Sequence, residues 1–483
     1  MLTIHARRIP ASPLRSPVTL LLIGWLTVFA AACGGNAPAG PEIPDEPELP
    51  QTPETPEVPE EPLTKETTPN PPVDPNPLVD WSAWSIHDGK FWLDGEWTFL
   101  KTAKPLTSFA SEDGCRKVAA LLDSLQAKHY NAVSLNCYWN HFDLDGDGSI
   151  DVPLEPLRNL IEEIYARGMY PCLSVETYSV GGGRIPDGFW EKWPDAYAIN
   201  DKGQAITDTQ YGFGTKVVSI FHQGYRDAVH RYIRELANAV DTRKILYFET
   251  TVEPQYAGDQ YLCYSESARR EYALWLKEKG ITNPDAAMPQ GFPIPQEFIQ
   301  YKTWNKFRAQ FLARWVNEDA AAWRSVAGEH AYVAVDYLDG AESSMMARDG
   351  NPEEFLRALT CANIVQVNWH WDGGTRKPNQ KAYDRVWKIR RETGRDWAVS
   401  EHMTMGGSAG ALVYTEDELD QILENTLHQG TRFGWDFTNS FNRSADAFSQ
   451  YNDDWSPKWG IHNVDGHWGW WMLRARQIEE EQR

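Results

Sequence analysis

Cysteine is scarce in this chain, six among 483 residues, and no spacing between them resembles a zinc site. With Cys33 set aside in the leading segment, Cys115, Cys137, Cys172, Cys263 and Cys361 remain. That number is odd, so at least one is unpaired. Cys137, Cys172 and Cys361 lie in or beside apolar strand-like runs and read as small core residues. No internal repeat runs through the chain, and no glycine-rich phosphate loop opens a helix. Positive charge is in deficit: 46 lysines and arginines stand against 68 acids, a formal net charge of -22. Such an excess argues against nucleic acid or anionic lipid as a partner and suits a neutral substrate.

The first segment, residues 1–33, reads as a targeting signal. Arg7, Arg8 and Arg15 form a basic start, and the apolar run from Val18 to Ala32 is too short for a comfortable membrane span. It closes on Phe29-Ala30-Ala31-Ala32-Cys33-Gly34, which resembles the lipobox of bacterial lipoproteins, with Ala30 where an aliphatic residue is usual. The resemblance implies cleavage before Cys33 and lipidation of its thiol. An ordinary secretory signal cut nearby is the alternative, and either way the product is exported, periplasmic or at the cell surface. Residues 34–78 are rich in proline and glutamate and hold no aromatic residue, so they have nothing with which to build a core. A chain of that composition is extended at about 3.1 Å per residue and reaches on the order of 100 Å. The lipid anchor is then the only membrane contact.

Residues 79–483 contain no second linker and carry most of the negative charge, about -16. Strand and helix patterns alternate along them. Phe91 to Leu100 reads as a hairpin turning on Asp94-Gly95 and leading into a first strand. Further strands are expected at Asn131–Asn136, Met169–Glu176, Ile245–Phe248, Tyr332–Asp336, Ile364–Trp369, Trp397–Ser400 and Arg432–Phe437. Helical patterns separate them, among them Cys115–Lys128, Leu154–Arg167, Tyr225–Ala239, Lys381–Arg391 and Asp417–His428. Eight strands with crossover helices predict an α/β fold, the (β/α)8 barrel, with an open doubly wound sheet as the alternative.

Two of these strands run into a glutamate. Ile245 to Phe248 leads to Glu253, which precedes Pro254 and is therefore biased toward an extended backbone. Trp397 to Ser400 leads to Glu401. Strand ends of a parallel barrel gather at one rim. Paired carboxylates there are the chemistry of glycoside hydrolysis, one as acid/base and one as nucleophile or base.

A fourth strand ending in Glu-Pro and a seventh ending in Ser-Glu resemble the clan of retaining glycoside hydrolases built on this barrel. Within the clan, Tyr261 to Tyr272 followed by Trp275 to Gly280 is similar to the stretch after the acid/base in family 42 β-galactosidases. Arg167-Gly168-Met169 and Trp193-Pro194-Asp195-Ala196 also fit, and family 5 is the second resemblance. Where the clan usually carries asparagine before its acid/base, this chain has Val252. Glu249, four residues before Glu253, is expected on the same face and is an alternative acid or a substrate contact. The resemblance implies that Glu253 protonates the leaving oxygen and Glu401 forms a glycosyl-enzyme, with no cofactor required.

Other candidates follow from position at strand ends. Asn136, Tyr138, Asn140 and His141 end the second strand and Glu176 the third; all are plausible hydroxyl binders. His370, beside Trp371 at the end of the sixth strand, is placed to meet Glu401 or to cap a loop. Trp435 is expected to end the eighth strand, where the clan stacks an aromatic ring against a sugar. The chain has 22 tryptophans, more than a core needs, so many should line a groove. Finally, Asp143-Leu144-Asp145-Gly146-Asp147-Gly148-Ser149-Ile150-Asp151 matches the first nine places of a calcium loop, with Asp143, Asp145 and Asp147 as ligands of a structural Ca2+. The twelfth place is Leu154 instead of glutamate, and an acidic turn is the alternative. The expected activity is cleavage of β-linked glycosides, β-galactosidase-like, or endo-acting on a β-glucan or β-mannan. A non-catalytic glycan-binding surface lipoprotein is the reading from another class.

Overall fold

The computed structural model describes residues 83–405 and 437–441, apart from 179–183, 209–214, 257–261, 283–287, 289–300, 339–349, 371–379 and a few shorter stretches, Val252 among them. The signal, the linker and the helix expected over Asp417–His428 lie outside the described residues, as do Trp435 and Trp371.

Three short strands come first: β1 (Trp84–His87), β2 (Lys90–Leu93) and β3 (Glu96–Trp97), paired antiparallel in that order. Asp94 and Gly95 make the expected turn between β2 and β3, both at positive φ, 52° and 79°. The barrel then begins with β4 (Lys101–Pro105), β5 (Ala132–Tyr138) and β6 (Tyr170–Glu176). A small ribbon of β7 (Thr207–Asp208) and β8 (Thr215–Lys216) intervenes before β9 (Tyr247–Glu249), β10 (Tyr332–Leu338), β11 (Ile364–His370), β12 (Ala398–Met405) and β13 (Phe437–Phe441). The eight strands from β4 to β6 and β9 to β13 are parallel and close on themselves, β13 pairing with β4. The (β/α)8 reading holds and the open sheet does not. Of the eighth strand expected over Arg432–Phe437, Phe437 lies among the described residues, at the start of β13.

Helices cover the outside where the 3.6-residue pattern placed them: Glu155–Ala166, Gln223–Ala239 and Gln380–Thr393, with the expected Cys115–Lys128 divided into Glu112–Ala119 and Leu122–Ala127. Their starts are chemically marked. The Ser111 hydroxyl accepts from the amide of Gly114 at 3.1 Å, and Ser265 caps Glu266–Glu278 through the amide of Ala268 at 3.2 Å, each satisfying an amide with no partner inside its helix. The longest helix, Lys302–Ala327, packs against Gln223–Ala239 and against β9, where Trp323 stacks on Phe248 at 4.5 Å.

All seven residues of β5 are buried, because a barrel strand is covered on both faces. Val133, Leu135 and Cys137 join the core shared with the helices, as do Val365, Val367 and Val399. The alternate residues face the lumen. At its N-terminal end the lumen is apolar: Ala132, Tyr247, Ala334, Ile364 and Ala398 pack with Trp84 and Phe91 of the antiparallel sheet and with Leu100, which precedes β4. Higher up the lumen turns polar, with Thr102, Lys104, Ser134, Asn136, Ser174, Glu249, Asp336 and Gln366 all buried. Cys115, Cys137, Cys172, Cys263 and Cys361 are buried, with no disulfide among the described residues.

Candidate active site

The polar half of the lumen opens at the C-terminal ends of the strands. There β5 and β6 pair with Tyr138 opposite Glu176. The Asn136 amide donates to Glu176 Oε1 at 2.6 Å, and Arg184 Nε donates to Glu176 Oε2 at 2.7 Å. The Arg184 guanidinium lies 3.7 Å from the centre of the Tyr138 ring, and Tyr138 meets His141 edge to face at 5.0 Å. Asn136, Tyr138 and Glu176, expected separately as hydroxyl binders, form one cluster. Burial, and then the charge of Glu176, push the Tyr138 hydroxyl well above its ordinary range. Burial, and then Arg184, hold His141 below its ordinary value, so it is neutral at pH 7. Among the described residues, Asn136 Oδ1, His141 Nδ1 and Thr177 Oγ1 are buried with no hydrogen-bond partner. Groups of that kind at the mouth of a lumen are suited to water or to substrate hydroxyls.

Glu253 stands on the segment that leaves β9. Thr250 and Thr251 remain buried, and the Thr250 amide donates to Ala334 on β10. The Glu253 amide donates to Asp336 Oδ2 at 3.2 Å, and Gln255 Nε2 reaches Glu253 Oε2 at 3.3 Å. Here the structure corrects an expectation: φ at Glu253 is 50°, left-handed instead of extended. The preference set by Pro254 is local and weak, whereas Asp336 and the buried Gln255 and Tyr256 pin the segment from both sides. Left-handed backbone at a non-glycine residue costs about 1–2 kcal/mol and persists only where surroundings impose it.

Glu249 is also corrected. Its carboxylate is fully buried and sits 2.7 Å from Lys104 Nζ through both oxygens. Lys104 is on β4, three strands away around the barrel, so the pair crosses the lumen. Tied through both oxygens to an ammonium, this carboxylate serves as a structural link across the lumen.

The other half of the rim is set by register. Glu401 is the fourth residue of β12, opposite Val367 on β11 and Phe437 on β13. Ser400 and His402 hold the positions of Gln366 and Asn368. His370 ends β11, as expected. The side chains of Glu401 and His370 lie outside the described residues.

In the acidic loop, Asp143 is fully buried and accepts from the amides of Gly146 and Gly148 and from the Trp139 indole, at 2.6, 2.7 and 2.7 Å. Gly146 has φ 76°, and a Cβ there would meet the backbone of Phe189 at 2.6 Å, so only glycine fits. Asp143, Asp145 and Asp151 bring carboxylate oxygens within 4.8 Å of one another. Asp147, expected as the third ligand, lies outside that group; its carboxylate faces Arg231 at 3.3 Å, drawn by a guanidinium from the helix Gln223–Ala239.

Sequence reasoning missed Arg184, Lys104 and Asp336. Asp336 carried the same mark as Glu253, an acid closing an apolar strand. Arg184 follows three consecutive glycines, a weak pointer to a loop folding back on the rim. For Lys104 no local pattern pointed across the lumen.

A model of glycoside hydrolase family 42, β-galactosidase, matches residues 121–287, which hold β5, β6, β9 and Glu253. A search of curated proteins returns no match. Among solved structures, the catalytic domain of a β-amylase from Paenibacillus polymyxa aligns with TM-score 0.51 at 13% identity, over 76% of this chain and 98% of that one. A β-galactosidase from the psychrophilic Marinomonas ef1 aligns with TM-score 0.50 at 11% identity over 71% of this chain. A cold-adapted β-galactosidase from Rahnella sp. R3 aligns with TM-score 0.51 at 12% identity, again over 71%. The chain spans only 54% and 50% of these two β-galactosidases, about half their length. At such identities the structures speak for the barrel alone. The family match adds, over residues 121–287, a likeness to glycosidases on this (β/α)8 scaffold.

Proposed function

We propose that this protein cleaves β-linked glycosides with retention of configuration, Glu253 serving as acid/base and Glu401 as nucleophile. The observation that carries the reading is Glu253 itself. It lies in the family-matched segment, at the C-terminal rim, pinned by Asp336 and Gln255; the Asn136–Glu176–Arg184 cluster ends the neighbouring strands. Glu253 first donates its proton to the glycosidic oxygen while Glu401 attacks the anomeric carbon. It then takes a proton from water, which releases the sugar. The two carboxyls must stand about 5–5.5 Å apart for this; about 6.5–9.5 Å would mean inversion. Asn136, His141 and Thr177 would meet sugar hydroxyls. The family supports a β-galactoside as substrate, with a β-glucan or β-mannan as the endo-acting alternative. It also supports an enzyme over a non-catalytic binder.

A second reading has a specific observation behind it. Glu401 holds the register position of Val367, a core residue on the helix side. On this reading Glu176, which ends the neighbouring strand β6, would act as base or nucleophile.

The test is a panel of aryl β-glycosides and polysaccharides, followed by Glu253→Ala, Glu401→Ala and Glu176→Ala on the best substrate. Loss of the nucleophile should abolish turnover, with azide restoring cleavage to an inverted product. Loss of Glu253 should leave activated substrates reactive, with a burst and an azide product of retained configuration. Azide rescue in Glu176→Ala and not in Glu401→Ala would decide for the second reading. We further read the protein as an exported lipoprotein anchored through Cys33, so Cys33→Ser should release it from membranes. The Asp143–Asp145–Asp151 group is a Ca2+ site on this reading, and loaded protein should then melt lower with chelator.

A further inference from the structure

Glu253 and Asp94 are the non-glycine residues at positive φ among those described. Asp94 turns a hairpin beside Gly95, where left-handed backbone is ordinary. Glu253 lies in no hairpin and precedes a proline, so its conformation is imposed from outside. What imposes it comes from the next barrel strand, 83 residues on: Asp336 Oδ2 accepts the Glu253 amide at 3.2 Å. Asp336 is fully buried, and a carboxylate is a stronger acceptor for an amide than a neutral oxygen. Gln255 Nε2, 3.3 Å from Glu253 Oε2, holds the other end of the same residue.

The geometry points to Asp336 as a positioning residue for Glu253. Its carboxylate fixes the amide, and with it the left-handed turn that sets where the Glu253 carboxyl meets the leaving oxygen. The inference rests on Glu253 being the acid/base. Asp336 is fully buried, and its part is played through the backbone of Glu253.

An acid out of place matters most where the leaving group needs protonation. The experiment therefore compares kcat/KM on a dinitrophenyl glycoside and on a phenyl glycoside of the preferred sugar, for wild type, Glu253→Ala, Asp336→Ala and Asp336→Asn. Asp336→Ala should lose about 10–100-fold on the phenyl substrate and less than about threefold on the dinitrophenyl one, a weaker copy of the Glu253→Ala pattern. Asp336→Asn keeps an oxygen for the amide and should return the phenyl rate to within about fivefold of wild type. Equal losses on both substrates in Asp336→Ala, in protein that melts cooperatively, overturn the inference. So does an asparagine variant that is folded and as impaired on the phenyl substrate as the alanine one. Should Asp336→Ala fail to fold, Asp336→Val, which fills the buried space without offering an acceptor, takes its place in the comparison with the same two outcomes. If Glu253→Ala shows no dependence on the leaving group, the acid/base assignment falls and takes the inference with it.

Discussion

Glu249 and Glu253 are four residues apart on the same stretch of chain, yet they belong to different regions of the barrel. The middle of the lumen holds Glu249 in a closed pair with Lys104, shut off from water on every side. The rim holds Glu253 half-buried, its amide on Asp336 and one carboxylate oxygen near Gln255. One region uses a carboxylate as a structural tie; the other holds the one proposed above as acid/base. The difference is solvent. Burying both charges is tolerable only if each neutralises the other with good geometry, whereas a charge at an opening keeps its freedom to exchange protons.

The comparison can be broken most severely in the middle of the lumen. Glu249→Ala leaves the Lys104 ammonium buried and uncompensated, and should destabilise the fold by about 3–5 kcal/mol, read as a lower urea midpoint. Replacing both partners, Lys104→Met with Glu249→Leu, should recover most of that loss, since an apolar pair of similar volume fills the space without the cost of desolvation. If Glu249→Ala is instead as stable as wild type and catalytically dead, Glu249 belongs with the rim.

At the rim the expected effects are kinetic. Arg184→Ala removes the guanidinium from both Glu176 and the Tyr138 ring. KM should rise about tenfold, and the melting temperature should fall as well, because the Arg184–Glu176 pair is mostly buried and Glu176 loses its cation. An unchanged KM would place the substrate elsewhere on the rim.

A smaller effect, common to the framework around both regions, comes from buried groups that must lose a proton at high pH. Burial raises the Cys115 thiol from 9.0 to about 11 and the Tyr272 and Tyr332 hydroxyls from 10.0 to about 12. The unfolded chain releases these protons at the lower values, so it binds fewer protons than the folded one and stability falls as pH rises. The loss should begin near pH 9 and grow through about pH 11 to 12. Urea midpoints at pH 8, 10 and 11 would show it, and Cys115→Ala should flatten the first part of the decline.

Much of the barrel was legible in the sequence, because alternation and helical periodicity are local properties. The hairpin at Asp94-Gly95, the strands around Asn136, Glu176 and Phe248 and the helices around Leu157 and Val229 lie where their residue patterns placed them. The rim could be read for a related reason: in a parallel barrel every strand ends at the same face, so residues closing apolar runs, such as Asn136, Tyr138 and Glu176, are gathered there without further information. What the sequence alone could not say is which of two carboxylates four residues apart is tied to a buried ammonium. Lys104 reaches Glu249 from three strands away, and Arg231 turns Asp147 out of the acidic loop from a distant helix. The left-handed turn at Glu253 runs against its own local preference because Asp336 accepts its amide. Each of these depends on a charge or a hydrogen bond brought in from far along the chain. A contact of that kind has no period and no spacing, and it exists only once the barrel has closed.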